Sequence, residues 1–348
     1  MLIKNYRPDI DGLRAIAVLA VVFFHTFPSQ ISGGFLGVDI FFVISGFLIT
    51  DYINQNINNN SFNLLNFYKR RILRIFPALL LVLTFSIIFG WLILYPIAYQ
   101  NLAKHILGAV SFISNFILYK EAGYFDIPSE QKPLLHLWSL GVEEQFYIFL
   151  PFLLLIIHRF KLNFLLILMI VLSLALNIRW ADNQNLIFYM PITRAYELLL
   201  GSLLAHHSNI PNSFLGLLQS ILRKINIFEA IKLDVYFKNI LSILGLIMIF
   251  YSLFMFPKDT FFSIHFTMIV ILGSFLIISA GPWTFVNRYL LSVRQFVFIG
   301  KISYPLYLWH WPLLGFVGFF LRREPPESIK LIILVLSILF AYATDASP

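Results

Sequence analysis

The chain has 348 residues, 59% of them hydrophobic and 12% charged, with a mean hydropathy of +0.82 and a formal charge of +8. Water-soluble domains carry about 25% charged residues, so this composition excludes a polar-coated globular domain and requires a chain embedded in a membrane. The cations lie mostly in short loops between apolar runs, which reads as topology marking rather than a nucleic-acid surface, and the lack of cysteine excludes disulfides, thiolate metal sites and an acyl-cysteine intermediate.

Apolar runs fall near 13–28, 35–52, 76–95, 102–119, 140–157, 162–180, 187–206, 238–256, 264–281, 296–319 and 329–344. A helical span needs about 20 residues. These runs are continuous and rich in Leu, Ile and Phe, without the short alternating strands of a barrel. The expected fold is an all-α, polytopic transmembrane bundle of about 10–11 helices, forming one domain over 1–348 with no second, soluble domain. The first run, Leu13 to Phe27, contains Arg14 and His25 and lacks a cleavage site, so it reads as a retained helix. Asn54 to Asn63 reads as a loop, and within 208–237 the stretch Phe214 to Leu222 is amphipathic enough to lie on a membrane surface. Charge counting conflicts with itself. Lys4, Arg7 and Lys69 to Arg74 mark one face, but straight counting puts His158, Arg159, Lys161, Arg223, Lys224, Lys232 and Lys238 on the other. Either one segment between 76 and 140 fails to cross or an additional one does.

Polar residues inside apolar runs are costly and mark function. Arg14 and His25 share one face of the first helix, separated by about 16 Å along its axis. That suits a cation holding an anionic donor at one end and a base acting at the other; the plain alternative is a snorkelling arginine and an interfacial histidine. Asp39 stands inside the second run, placed to pair with Arg14, to orient His25 or to form a packing ion pair. Arg71 and Arg74 share a face and suit phosphate, or simply mark topology. In His136-Leu137-Trp138-Ser139-Leu140-Gly141-Val142-Glu143-Glu144, two carboxylates point about 100° apart, so one of them is expected to face a given site. Glu143 is the candidate for proton transfer. Arg194 and Glu197 pair at i, i+3, as a binding cluster or an internal salt bridge. Ser303, Tyr307 and His310 lie on one helical face amid aromatics, either a sugar-stacking site or an interfacial aromatic belt. Neither HExxH nor Cys/His spacing points to a metal.

Taken together, these stretches resemble the acyltransferase-3 family of integral membrane acyltransferases, which includes bacterial O-antigen and peptidoglycan O-acetylases. The resemblance rests on Arg7-Pro8-Asp9-Ile10-Asp11-Gly12-Leu13-Arg14 leading to His25, on Gly37-Val38-Asp39 through Ser45-Gly46, and on Arg71-Ile72-Leu73-Arg74. It continues with His136-Leu137-Trp138-Ser139-Leu140 followed by Glu143, and with Ser303-Tyr304-Pro305-Leu306-Tyr307-Leu308-Trp309-His310. It implies an inner-membrane enzyme that moves an acetyl group from acetyl-CoA to a hydroxyl of a cell-surface carbohydrate such as lipopolysaccharide O-antigen. Arg14 and His25 are then the catalytic centre, and Arg71 and Arg74 hold the CoA phosphates. Asp39 or Glu143 would hold the imidazole tautomer. The acceptor-binding candidates are His136, Trp138, Arg194, Glu197, Ser303, Tyr307 and His310. Many relatives carry a further helix and a periplasmic hydrolase-like domain; here the sequence stops at Pro348, just after its last apolar run, so a truncated or divergent end and a separate periplasmic partner are expected. Two rival classes are a transporter or flippase for a lipid-linked glycan, against which the lack of an internal repeat weighs, and a scaffold for a separate enzyme.

Overall fold

The computed structural model describes residues 6–122, 132–162, 164–208, 227–258, 260 and 262–345, with side chains of 207, 208 and 227–234 excepted. Among the described residues there are helices and turns and no strand. In chain order the α-helices are α1 (Pro8–Thr26), α2 (Gly37–Asn58), α3 (Leu64–Ile93), α4 (Pro96–Val110), α5 (Ser114–Glu121), α6 (Trp138–Phe160) and α7 (Phe164–Arg179). They continue with α8 (Gln184–Tyr189), α9 (Pro191–Ser208), α10 (Ile227–Phe254), α11 (Ile264–Ala280), α12 (Arg294–Lys301), α13 (Ser303–Leu321) and α14 (Glu327–Thr344). The all-α bundle expected from composition is what the chain forms. Among the described residues five stretches, 34–58, 64–93, 135–160, 235–254 and 327–344, are long and apolar enough to cross a bilayer.

Local chemistry sets the helix starts. Pro8 and Pro96 occupy first-turn positions, where the missing N–H costs nothing. The Asn63 side chain caps α3 by accepting from the Asn66 N–H at 2.9 Å. The apolar pattern then sorts helices by depth. In the α2 span 72% of the most apolar window is buried inside the protein, against 22% for α14. The core is therefore built on α1, α2, α6 and α9, while α3, α10 and α14 turn Trp91, Leu92, Ile243 and Leu339 outward, as lipid-facing helices do.

The run at 102–119 does not form the single span that its apolarity suggested. It breaks at Phe112, which adopts a left-handed φ of 55°, into α4 and α5. At 1.5 Å per residue these helices are about 22 and 12 Å long, short of a bilayer core of about 30 Å. They fold back on each other. Glu121 at the end of α5 reaches His105 on α4 at 2.9 Å. The tip is held from α6, where Gln145 Nε2 donates to the Phe112 carbonyl at 2.6 Å and to Asn115 Oδ1 at 2.9 Å. A hairpin that enters and leaves by one face removes a crossing. His158, at the end of α6, then bonds Asn54 at the end of α2 (3.0 Å), and Arg159 and Lys161 join Arg7 and Lys69 on one face. This resolves the charge-counting conflict for His158, Arg159 and Lys161; Arg223 and Lys224 lie outside the described residues. The face where α1 begins is called the basic face below, and the face where it ends the far face. The amphipathic stretch Phe214 to Leu222 lies outside the described residues.

The closest helix contact is between α2 and α9. A Cβ built on Gly46 would sit 1.8 Å from the Leu198 carbonyl oxygen, and one on Gly201 would sit 2.0 Å from that of Val43. Only glycine permits this backbone approach. Gly46→Val is expected to destabilise the fold by at least 1–3 kcal/mol, roughly the cost of overpacking, read as a lower unfolding midpoint in detergent.

Candidate active site

α1 carries both motif residues through the centre of the bundle, and each lines a separate cavity. Toward the basic face a narrow slot of about 110 Å³ is lined by Arg14, Arg71, Arg74, Glu143, Tyr147 and Ser303, among others. Toward the far face a chamber of about 1660 Å³ is lined by His25, His136, Trp138 and Trp311. Val38 and Tyr307 line both, so the two cavities adjoin at these two side chains.

In the slot the charges have unequal partners. Arg71 Nη2 donates to Glu144 Oε1 at 3.1 Å, and its guanidinium lies 4.0 Å from the centre of the Tyr147 ring. Glu143 accepts from the Ser45 and Tyr147 hydroxyls. Arg14 is 3.3 Å from Asp11, and Arg74 has no ion pair among the described residues. The buried Ser303 hydroxyl has no hydrogen-bond partner among the described residues. Guanidiniums with spare donors, in a slot whose two carboxylates are already held, form a place for an anion. Both glutamates line the slot, although a 100° separation predicted that one would turn away. The slot reaches Glu143 from the α2 side and Glu144 from the α3 side.

The chamber is organised around an imidazole pair. His25 Nδ1 lies 2.9 Å from His310 Nε2, with the rings stacked at 5.2 Å and 9°. His310 Nδ1 lies 2.7 Å from the Tyr307 carbonyl oxygen. A carbonyl only accepts, so His310 Nδ1 carries the hydrogen, and in the neutral ring Nε2 is then an acceptor. It follows that His25 Nδ1 donates to His310 and that His25 Nε2 holds a free lone pair. That nitrogen makes no hydrogen bond among the described residues, and its ring lines the chamber. Trp311 packs 4.3 Å from the His25 ring and His136 packs 5.5 Å from His310. Tyr307 is itself fixed: its hydroxyl donates to the His136 carbonyl at 2.7 Å and accepts from Ser139 at 2.6 Å.

Several expectations are corrected by this geometry. Neither Asp39 nor Glu143 touches His25; the partner is His310. Asp39 faces α9, where Arg194 Nη1 binds its carboxylate at 2.8 Å and that of Glu197 at 2.8 Å. All three side chains are at most 1% exposed. The Arg194 guanidinium sits among Phe262, Trp138, Phe188 and Phe42, at 5.0 to 5.9 Å. Arg194 and Glu197, expected to bind acceptor, line neither of these two cavities, and the Arg194 guanidinium lies 5.3 Å from the Trp138 ring. His136, Trp138, Ser303 and Tyr307 do line cavities, and His310 backs His25. Ser45, Tyr147, Tyr304 and Trp311 were not singled out for a role. Ser45, Tyr147 and Tyr304 line the slot and Trp311 the chamber; Ser45 and Tyr304 stand in the motif stretches, Tyr147 follows Glu143 by one helical turn, and Trp311 belongs to the aromatic run around His310.

The comparisons with known proteins fit this arrangement. A family profile described as an acyltransferase domain (acyltransferase-3) matches residues 7–345. The O-acetyltransferase OatA of Staphylococcus aureus strains NCTC 8325 and COL is 34% identical over 360 residues, covering 97% of this chain and 55% of the relative. A putative O-acetyltransferase, SAS0844, of Staphylococcus aureus strain MSSA476 is 34% identical over 351 residues, covering 97% of this chain and 56% of the relative. The chain thus spans about half the length of the curated relatives it matches. No solved structure matches it. A match over almost the whole chain, at this identity, places this multi-pass membrane protein in the acyltransferase-3 family of acyltransferase domains.

Proposed function

We propose that this chain is the membrane-embedded part of an O-acetyltransferase that takes an acetyl group from acetyl-CoA at the basic face and delivers it to a carbohydrate hydroxyl in the far-face chamber. One observation carries the reading: an arginine-lined slot and a histidine-bearing chamber approach from opposite faces and adjoin at Val38 and Tyr307. By the positive-inside rule the basic face is cytoplasmic, which is where CoA is found; in a bacterium the membrane is then the inner one. The family and the O-acetyltransferase relatives support the acyl chemistry.

Arg74 and Arg14 have donors to spare for the CoA phosphates, and the narrow slot suits the thin pantetheine arm, which carries the thioester on toward the chamber, better than the nucleotide. In the chamber His25 Nε2 removes the proton from the acceptor hydroxyl, whose oxygen attacks the acetyl carbon. The C–S bond breaks, the CoA thiolate leaves, and the imidazolium proton neutralises it. His310 holds the tautomer that makes this possible, by accepting the Nδ1 hydrogen. The acceptor is a cell-surface glycan, with lipopolysaccharide O-antigen and peptidoglycan the two to test; delivery through a separate periplasmic hydrolase-like partner is a variant of the same scheme.

Removing the spare guanidinium in Arg74→Ala is expected to weaken acetyl-CoA binding about tenfold, the cost of one charge-assisted contact, measured by titration of the purified protein. His25→Ala is expected to abolish glycan acetylation at normal protein level and normal glycan export. Blocked export with acetylation intact would instead assign the chain to transport.

A further inference from the structure

The far-face chamber has a charge pattern that acetyl transfer to a neutral sugar does not need. Among the described residues six cations line it, Lys104, Lys132, Lys258, Arg322, Arg323 and Lys330, against two carboxylates, Glu121 and Glu324. Both carboxylates are already engaged. Glu121 is held by His105 at 2.9 Å and by Lys132 at 3.2 Å, and Glu324 by Lys330. Lys104, Lys258, Arg322 and Arg323 have no ion pair among the described residues. They come from separate elements: α4, the turn after α10, and the end of α13. Arg322 is aimed by its hydrogen bond to the Tyr95 hydroxyl at 2.5 Å, at a left-handed φ of 53°. Deeper in, the lining changes to Trp138, Trp311 and His25. Cations at the rim, with indole rings and a base below, suit a ligand that carries fixed negative charge beside a sugar face and a hydroxyl.

We infer that the chamber selects an acidic acceptor, a glycan bearing phosphate or carboxylate groups within about one or two sugar units of the hydroxyl that is acetylated. The inference rests on the chamber being the acceptor site. The rim cations draw the anion in by long-range attraction and fix which hydroxyl reaches His25, while the reacting groups lie below them.

The test uses the full chain in nanodiscs, with acetyl-CoA and two oligosaccharide acceptors of equal length, one carrying carboxylates and one neutral. The wild type is expected to show a KM for the acidic acceptor about tenfold lower than for the neutral one, with the difference shrinking as salt is raised. In Lys104→Glu/Arg323→Glu the preference is expected to reverse, with acetyl-CoA binding measured on the same sample to report an intact fold. Equal KM values for the two acceptors in the wild type would overturn the inference and leave the transferase reading standing. Failure to transfer to either acceptor, with no acetyl-CoA bound, would sink the transferase reading itself. Repeating the assay in neutral and in anionic-lipid discs separates glycan from headgroup: activity that follows lipid charge and is indifferent to acceptor charge would assign the cations to the membrane surface and also overturn the inference.

Discussion

His310→Ala is expected to lower the rate of acetyl transfer by about 100- to 10,000-fold, the range seen when a general base loses its function or its orienting partner, with acetyl-CoA binding unchanged. The loss acts through His25. Without an acceptor at the His310 Nε2 position, 2.9 Å away, the His25 ring is free to turn or to take the other tautomer, and its Nε2 lone pair is no longer fixed toward the chamber. A purely packing role for His310 predicts something else. His310→Phe keeps the ring volume against Trp311 and His136 and is expected to be as poor as alanine. His310→Gln restores an oxygen acceptor near the lost nitrogen and is expected to recover part of the rate. Steady-state transfer by the three variants, with kcat and acceptor KM separated, checks this. Recovery by phenylalanine and not by glutamine would mean that the imidazole pair is only packed together.

The second large effect is on folding. Arg194→Met is expected to cost about 3–5 kcal/mol, the penalty for stripping one partner from a buried ion cluster, and that is comparable with the stability of many proteins. Asp39 and Glu197 would be left facing each other at no more than 1% exposure, with four aromatic rings around an empty centre. Little monodisperse protein is expected in size-exclusion chromatography. Neutralising the whole cluster, in Arg194→Met/Asp39→Asn/Glu197→Gln, is expected to restore folding, because the buried charges then leave together. Normal folding of Arg194→Met with only a raised acceptor KM would return the cluster to the acceptor-binding role that its spacing suggested.

Much of the architecture was readable in the chain. Runs as apolar as Ile75 to Ile93 have one stable outcome in lipid, because their backbone polar groups must be satisfied internally. The break at Phe112 was not readable. The residue is neither Gly nor Pro, and what stabilises its left-handed turn is an amide on another helix, Gln145. The site was legible in the same partial way. A helical wheel puts Arg14 and His25 on one stripe, and both reach cavities. A wheel is silent on what faces that stripe from elsewhere. The His25 partner lies 285 residues away, and Asp39, the carboxylate near in sequence, is drawn to Arg194, 155 positions on. Pairings between helices depend on which faces meet, and here glycines such as Gly46 and Gly201 decide that by letting α2 and α9 touch.

The central claim is that donor and acceptor approach from opposite faces and meet where the cavities adjoin, at Val38 and Tyr307. Sealed proteoliposomes of known orientation, with labelled acetyl-CoA supplied only at the basic face and acceptor glycan only at the far face, test it most directly. The expected result is label on the glycan in the far compartment, absent with His25→Ala. Label that appears only when donor and acceptor share a compartment would contradict the two-sided site.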